Sequence, residues 1–155
     1  MLTIRTAEPN DLTEIVALYA ADELGGHGDA WNSGTEAGYR AALATIAASP
    51  DMSLHVAVEH VAVEEETIVG VFQLVMFTTL VERGARRAKL ASVQVRSNCR
   101  SRGIGAWMIA EAEGIARSCG AVVLELTSSK SRRDAHRFYD RLGYERSHEG
   151  FRKRL

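Results

Sequence analysis

Very little in this chain points to a specialised environment. Its 155 residues include only two cysteines, Cys99 and Cys119. They have neither metal-ligand spacing nor the makings of a disulfide framework, so reduced thiols in a cytoplasmic protein are expected. Cys99 has no histidine beside it in sequence, which leaves it without the partner that would make it an acyl-carrying nucleophile. Charge of one sign is also missing. The formal net charge is −1, so no global field draws the protein to nucleic acid or to a membrane surface. The longest apolar-rich run, Ile68 to Val81, is too short to span a bilayer and is interrupted by Gln73, Thr78 and Thr79. The first residues read as a strand and not as a charged segment followed by an apolar one, so no secretory leader is expected. No linker or low-complexity stretch divides the chain, and its length suits one domain, residues 1–155.

What is present is a basic, glycine-containing turn, Arg100-Ser101-Arg102-Gly103-Ile104-Gly105-Ala106. It follows the β-branched run Val93-Gln94-Val95 and opens a long amphipathic segment. Strand, glycine turn and helix start, in that order, build an anion site. The first amides of a helix have no intrahelical partner, and the helix dipole adds partial positive charge there. Glycine lets those amides approach a phosphate, and arginine adds forked donors with permanent charge. Two familiar phosphate turns are excluded by spacing. A dinucleotide fingerprint needs a third glycine where Met108 stands, and no Gly-Lys-Ser/Thr triplet occurs for an ATP-binding loop.

The remaining pattern, Arg-x-x-Gly-x-Gly-Ala, resembles the acetyl-CoA pyrophosphate loop of the GNAT superfamily of N-acetyltransferases. A second stretch, from Ala135-His136-Arg137-Phe138-Tyr139 to Gly143-Tyr144, is similar to that family's A-x-x-F-Y-x-x-x-G-F/Y signature. The opening Thr3-Ile4-Arg5-Thr6-Ala7 with Asn10-Asp11-Leu12, and the later Ile68-Val69-Gly70, are similar to its first strand and helix and to its third strand. The resemblance covers nearly the whole chain. It implies an α/β fold with a mixed, mostly antiparallel sheet, parallel and splayed strands 4 and 5, and helices on both faces. It implies acetyl-CoA as cofactor, held by Val93, Gln94 and Val95 through pantetheine and by Arg100, Ser101, Arg102, Gly103, Ile104, Gly105 and Ala106 through phosphate. Acetyl transfer to a primary amine of a small molecule is the implied reaction. A backbone amide of Val93 or Val95 would polarise the thioester carbonyl, and Tyr139 would protonate the departing sulfur. Dimers are common in that group, so a homodimer is an expected state.

The departure from the family pattern is the base. Aligned on Val93 and Val95, the strand position where many relatives carry glutamate is Ala91. A water chain, solvent acting on an amine of modest pKa, or a group from elsewhere (Glu125, His27, Asp29 or His148) would take its place, and a CoA-binding module without turnover is the alternative reading. An acceptor amine would meet Glu23, His27, Asp29 and Trp31, which surround the glycine-rich Gly25-Gly26-His27-Gly28. These combine acid with an aromatic face for a cation.

Periodicity fills in the rest. Helices are expected from Asp11 to about Leu24, Thr35 to Ala48, Ile104 to Cys119 and Arg132 to Leu142. The face of the third carries Ile104, Met108, Ala112, Ile115, Ala116 and Cys119. Ala121 to Thr127 reads as a strand buried on both faces, and Tyr144 to Leu155 as one or two final strands. His55-Val56-Ala57-Val58-Glu59 is repeated at once as His60-Val61-Ala62-Val63-Glu64. An odd repeat length inverts strand parity, so the copies cannot face alike in one regular strand. The first is expected to extend a strand, through a bulge, and the second to form the hairpin.

Overall fold

Five segments rich in β-branched and apolar residues become strands: β1 Leu2–Thr6, β2 Met52–Ala62, β3 Glu65–Thr78, β4 Arg86–Val95 and β5 Val123–Leu126. In the computed structural model, which describes residues 1–25, 27–62 and 65–155, they form one sheet in the order β1-β2-β3-β4-β5. The first four pair antiparallel in succession, and β4 and β5 run parallel, as expected. The helices are α1 Leu12–Ala20, α2 Glu36–Ala48, α3 Ile104–Ser118 and α4 Arg133–Arg141. Chain contacts divide the molecule into two units, Met1–Glu125 and Leu126–Leu155.

In the first unit, helices cover both faces of the sheet. Ile15 and Leu18 of α1 and Leu43 of α2 pack on Leu54, Val56, Val58, Ile68 and Val71. Burying each of these branched side chains contributes about 1.5–3 kcal/mol. Gly70, next to Val71 and so facing the other way, lies under α3. A Cβ there would stand 2.4 Å from the Met108 sulfur and 2.9 Å from the Gln94 carbonyl oxygen. Arg5 of β1 forks onto Asp11 at 2.7 and 2.9 Å, and the same carboxylate accepts the Glu8 amide at 2.7 Å. This ties the first strand to the turn that starts α1. Burial alone would raise the Asp11 pKa, but these hydrogen bonds outweigh it and hold the carboxyl below its ordinary value.

Several expectations are corrected. α1 stops at Ala20 and not near Leu24, because the Asp22 amide tightens onto the Tyr19 carbonyl. On α3, Ile109 is buried and Cys119 is exposed, since Cys119 lies past the last helical residue. The duplicated segment runs on as one strand to Ala62, with irregularities between Ala57 and Val58 and between His60 and Ala62. Its second copy is therefore strand as far as Ala62, while Val63 and Glu64 lie outside the described residues. The two copies do not share an environment: Val56 is fully buried, whereas Val61 is 66% exposed. β5 is short and lies at the end of the sheet order, with Val122 and Val123 exposed, so it is not buried on both faces.

In the second unit, Tyr144 to Leu155 contains no strand. Charged and polar residues dominate this tail, leaving no apolar alternation to fix one face inward.

Candidate functional site

The anion turn is built by backbone conformation. After β4 ends at Val95, a short 3-10 turn, Ser97–Cys99, buries Cys99 and leads into Arg100. Ser101 has φ 62° and Gly103 φ 79°, so two left-handed residues flank Arg102 just before α3. Such a sequence directs successive amides into one concavity. Gly103 is the N-cap, and the Trp107 amide reaches back to its carbonyl at 3.1 Å. The amides of Ile104, Gly105 and Ala106 therefore have no intrahelical acceptor. A Cβ at Gly103 would meet nothing within 4 Å, so the space beside this residue is open.

The arginines are positioned by the protein itself. The Arg100 Nε lies 3.4 Å from the Val95 carbonyl oxygen. Arg102 forks onto Glu59 of β2 at 2.5 and 3.1 Å. Its hydrogen bond holds the Glu59 carboxyl below the usual carboxylate range. Amides, left-handed residues, open space and two guanidinium groups are the donor set a diphosphate requires.

A feature invisible in the sequence lies on β4. Its pairing with β3 is regular except between Val71 and Gln73, opposite a left-handed Ser92 with φ 53°. This is a β-bulge in which Ser92 and Val93 stand opposite the single residue Phe72, just before Gln94 and Val95. Ser92 and Gln94 both meet the end of α1. Tyr19 and Ser92 share the wall of one cavity, and the Gln94 side-chain amide donates to the Asp22 carboxylate at 2.9 Å. A cavity of about 170 Å³ lies between α1, α2 and the sheet, with Tyr19, Tyr39, Leu43, Leu54, Gln73 and Ser92 in its wall. Burial pushes the Tyr19 phenol up to about 12, although the nearby Ser92 hydroxyl works the other way.

Two of the expected acceptor residues come together. Asp29 accepts the Tyr39 hydroxyl at 2.7 Å, and Trp31 stacks on the Tyr39 ring at 6.1 Å. The free face expected on Trp31 already carries the Arg40 guanidinium, 5.6 Å from the ring centre. Glu23 and His27 are exposed, and Gly26 of the same loop lies outside the described residues. Of the other candidate bases, Glu125 pairs with Arg87 at 3.6 Å, and His148 in the second unit bonds Ser147. In that unit Tyr139 sits edge-on to both Phe138 and Tyr144. Burial raises its pKa, with Arg132 opposing, so it stays protonated at neutral pH.

Sequence reasoning missed Tyr19, Asp22, Gln73, Ser92 and Glu59. Tyr19 and Asp22 stand one helical turn apart, and Ser92 lies two residues before Gln94. No sequence signal marked this corner, because the bulge at Ser92 and Val93 interrupts the strand period between Ala91 and Gln94. Among the described residues, no group of three His, Cys, Asp or Glu side chains could hold a metal ion. No described helix is long and apolar enough to cross a membrane.

A mixed sheet whose fourth strand feeds a left-handed glycine turn and a helix N-terminus defines an acetyltransferase type of fold. The chain belongs to the acetyltransferase (GNAT) family, whose profile matches residues 27–144. A solved structure described as a transcriptional regulator from Bacillus halodurans C-125 is 33% identical, with full coverage of both chains and a TM-score of 0.91. A putative acetyltransferase from Agrobacterium tumefaciens str. C58 is 24% identical over 99% of each chain, with a TM-score of 0.80, a likeness of fold. A segment of 56 residues is 50% identical to the aminoalkylphosphonate N-acetyltransferase of Salmonella typhimurium. That match spans 36% of this chain and 36% of the relative's length.

Proposed function

We propose that this protein transfers an acetyl group from acetyl-CoA to the primary amine of a small molecule in the cytoplasm. The observation that supports the reading is the turn at residues 100–106, where amides lacking intrahelical acceptors and two left-handed residues adjoin open space at Gly103, with Arg100 and Arg102 in the same turn. The Ile104, Gly105 and Ala106 amides bind the diphosphate, with Arg100 and Arg102 adding charge. Arg102 reaches it by sharing or leaving Glu59. The β4 residues Val93, Gln94 and Val95 align the pantetheine arm as an added half-strand. Acetyl-CoA supplies an activated acyl group with a good leaving thiol, so holding the amine in line provides much of the acceleration. A β4 amide, of Val93 or Val95, faces the charge that develops on the carbonyl oxygen. Tyr139, the tyrosine of the family's F-Y signature, gives its proton to the sulfur. The free thiols Cys99 and Cys119 suit a reducing compartment.

A second reading, a CoA-binding regulatory module without turnover, is favoured by two observations. Ala91 stands where a carboxylate is common, and the Bacillus relative is described as a transcriptional regulator. Thiol release from acetyl-CoA separates the two across a panel of aminoalkylphosphonates, amino sugars, polyamines and simple alkylamines. Acetylation of one class supports the enzyme. Tight CoA binding with no thiol release on any amine supports the regulator.

A further inference from the structure

Ala91 leaves β4 without a carboxylate, yet one approaches that strand from another element. Asp22 lies just beyond α1, and its carboxylate accepts the Gln94 side-chain amide at 2.9 Å. Gln94 belongs to the stretch assigned above to the pantetheine arm, and Ser92, two residues before it, forms the bulge with Val93. Tyr19, one turn before Asp22, lines the 170 Å³ cavity together with Ser92. Asp22 therefore stands against the strand that would carry the acyl group, one helical turn beyond a residue of the cavity wall. The chain leaves room for it: a Cβ on Gly25 would lie 2.6 Å from the Asp22 Oδ2 and 3.2 Å from the His27 ring. Any larger residue at position 25 would displace the carboxylate.

We infer that Asp22, oriented by Gln94, takes the proton of the acceptor amine in place of the strand carboxylate that Ala91 does not provide; the inference rests on the acetyltransferase reading above. An acceptor arrives as an ammonium ion, which the carboxylate attracts. The proton passes from nitrogen to a carboxylate oxygen of Asp22. The freed lone pair forms the nitrogen–carbon bond as the carbon–sulfur bond breaks, and the electron pair leaves on sulfur, which is protonated. Nitrogen gives up a second proton as it becomes the amide, so of its two protons one is matched by the proton gained by sulfur and the other passes from Asp22 to solvent. The other groups facing this corner do not replace Asp22. Tyr19 from α1 is held protonated by burial, Asp29 from the loop is engaged by Tyr39, and His27 is exposed. On β4, Ser92 and Gln94 are uncharged, and Arg96 is paired with Glu14 at 2.7 Å.

Asp22→Asn tests this with ethanolamine, propylamine and 2-aminoethylphosphonate as acceptors, compared with the unmodified protein from pH 7 to 9. The expected result is a loss of about 100-fold or more in kcat at pH 7, with CoA affinity unchanged. The variant's rate should then climb about tenfold per pH unit, because the solution itself now supplies the neutral amine. Asp22→Glu should restore part of the rate at pH 7. A residue that only shapes the loop would lower the rate equally at every pH. That parallel profile, or an unchanged rate, would overturn the assignment. An unmodified protein that binds CoA but acetylates no amine would refute the parent reading, and the assignment with it.

Discussion

At the scale of single residues, Gly103 carries the most weight. Its left-handed φ of 79° shapes the turn, and the space beyond its Cα is open. Gly103→Asp therefore clashes with nothing in the chain, and the backbone penalty is about 1–2 kcal/mol. Its carboxylate would nevertheless occupy the diphosphate position with the wrong charge. CoA binding should weaken about a hundredfold, roughly 2.7 kcal/mol, by calorimetry. Binding retained at the original strength would remove this turn from the site. Tyr139→Phe keeps the ring contacts with Phe138 and Tyr144 and removes only the hydroxyl proposed above as the acid. Turnover should fall about 10–100-fold while CoA affinity holds; an unchanged rate would clear Tyr139 of any proton transfer.

Two buried ionisable residues set the response to acid. Asp11 is held below its ordinary pKa, so the stability it contributes is present above the unfolded value and is lost as pH falls through the folded one. His55, stacked on Phe72 and bonded to Ser53 at 2.8 Å, is also lowered, in its case by burial. It stays neutral in the fold after the unfolded chain has taken up a proton, so its contribution has the same sign. The denaturant midpoint should drop as pH falls below about 6.5, the ordinary histidine value, and drop again in the carboxylate range. Asp11→Asn should reduce stability by about 1–3 kcal/mol at pH 7 and flatten the lower step. A midpoint indifferent to pH between 7 and 4 would contradict both assignments.

At the scale of elements, position in the sheet decides what the sequence could reveal. The β4–turn–α3 unit was legible because its signals are local: a β-branched run, glycines at fixed spacing, and an apolar stripe repeating at helical period. The corner made by Tyr19, Asp22, Ser92 and Gln94 was not, because it depends on a β-bulge that no residue type marks and on contacts between segments some seventy positions apart, Asp22 to Gln94. The parity argument at the duplicated pentapeptide foresaw that one regular strand could not hold both copies. It did not foresee that two irregularities would let a single strand continue to Ala62. Gly70 shows how tightly the same region is packed. Gly70→Ala forces a methyl toward the Met108 side chain, which can yield, and toward the Gln94 carbonyl, which belongs to the backbone of β4. A loss of about 1–3 kcal/mol in denaturant stability is expected. An unaltered midpoint would mean that β4 can shift freely against β3.

At the scale of the whole molecule, the chain order of the elements identified the family before any packing was visible, since both signature segments keep their spacing. The edge strand and tail were misjudged for a common reason. An apolar run such as Val122-Val123-Leu124 does not say how many neighbours it will have, and the polar tail after Tyr144 offers no face to bury. The functional account nevertheless converges on the turn at residues 100–106, and amide resonances report on it directly. On titration with coenzyme A, the backbone N–H signals of Ile104, Gly105 and Ala106 should move downfield together and saturate at one equivalent, as donors acquiring an anionic acceptor do. Saturable binding that leaves those three amides unmoved, or no binding at all, would contradict the account.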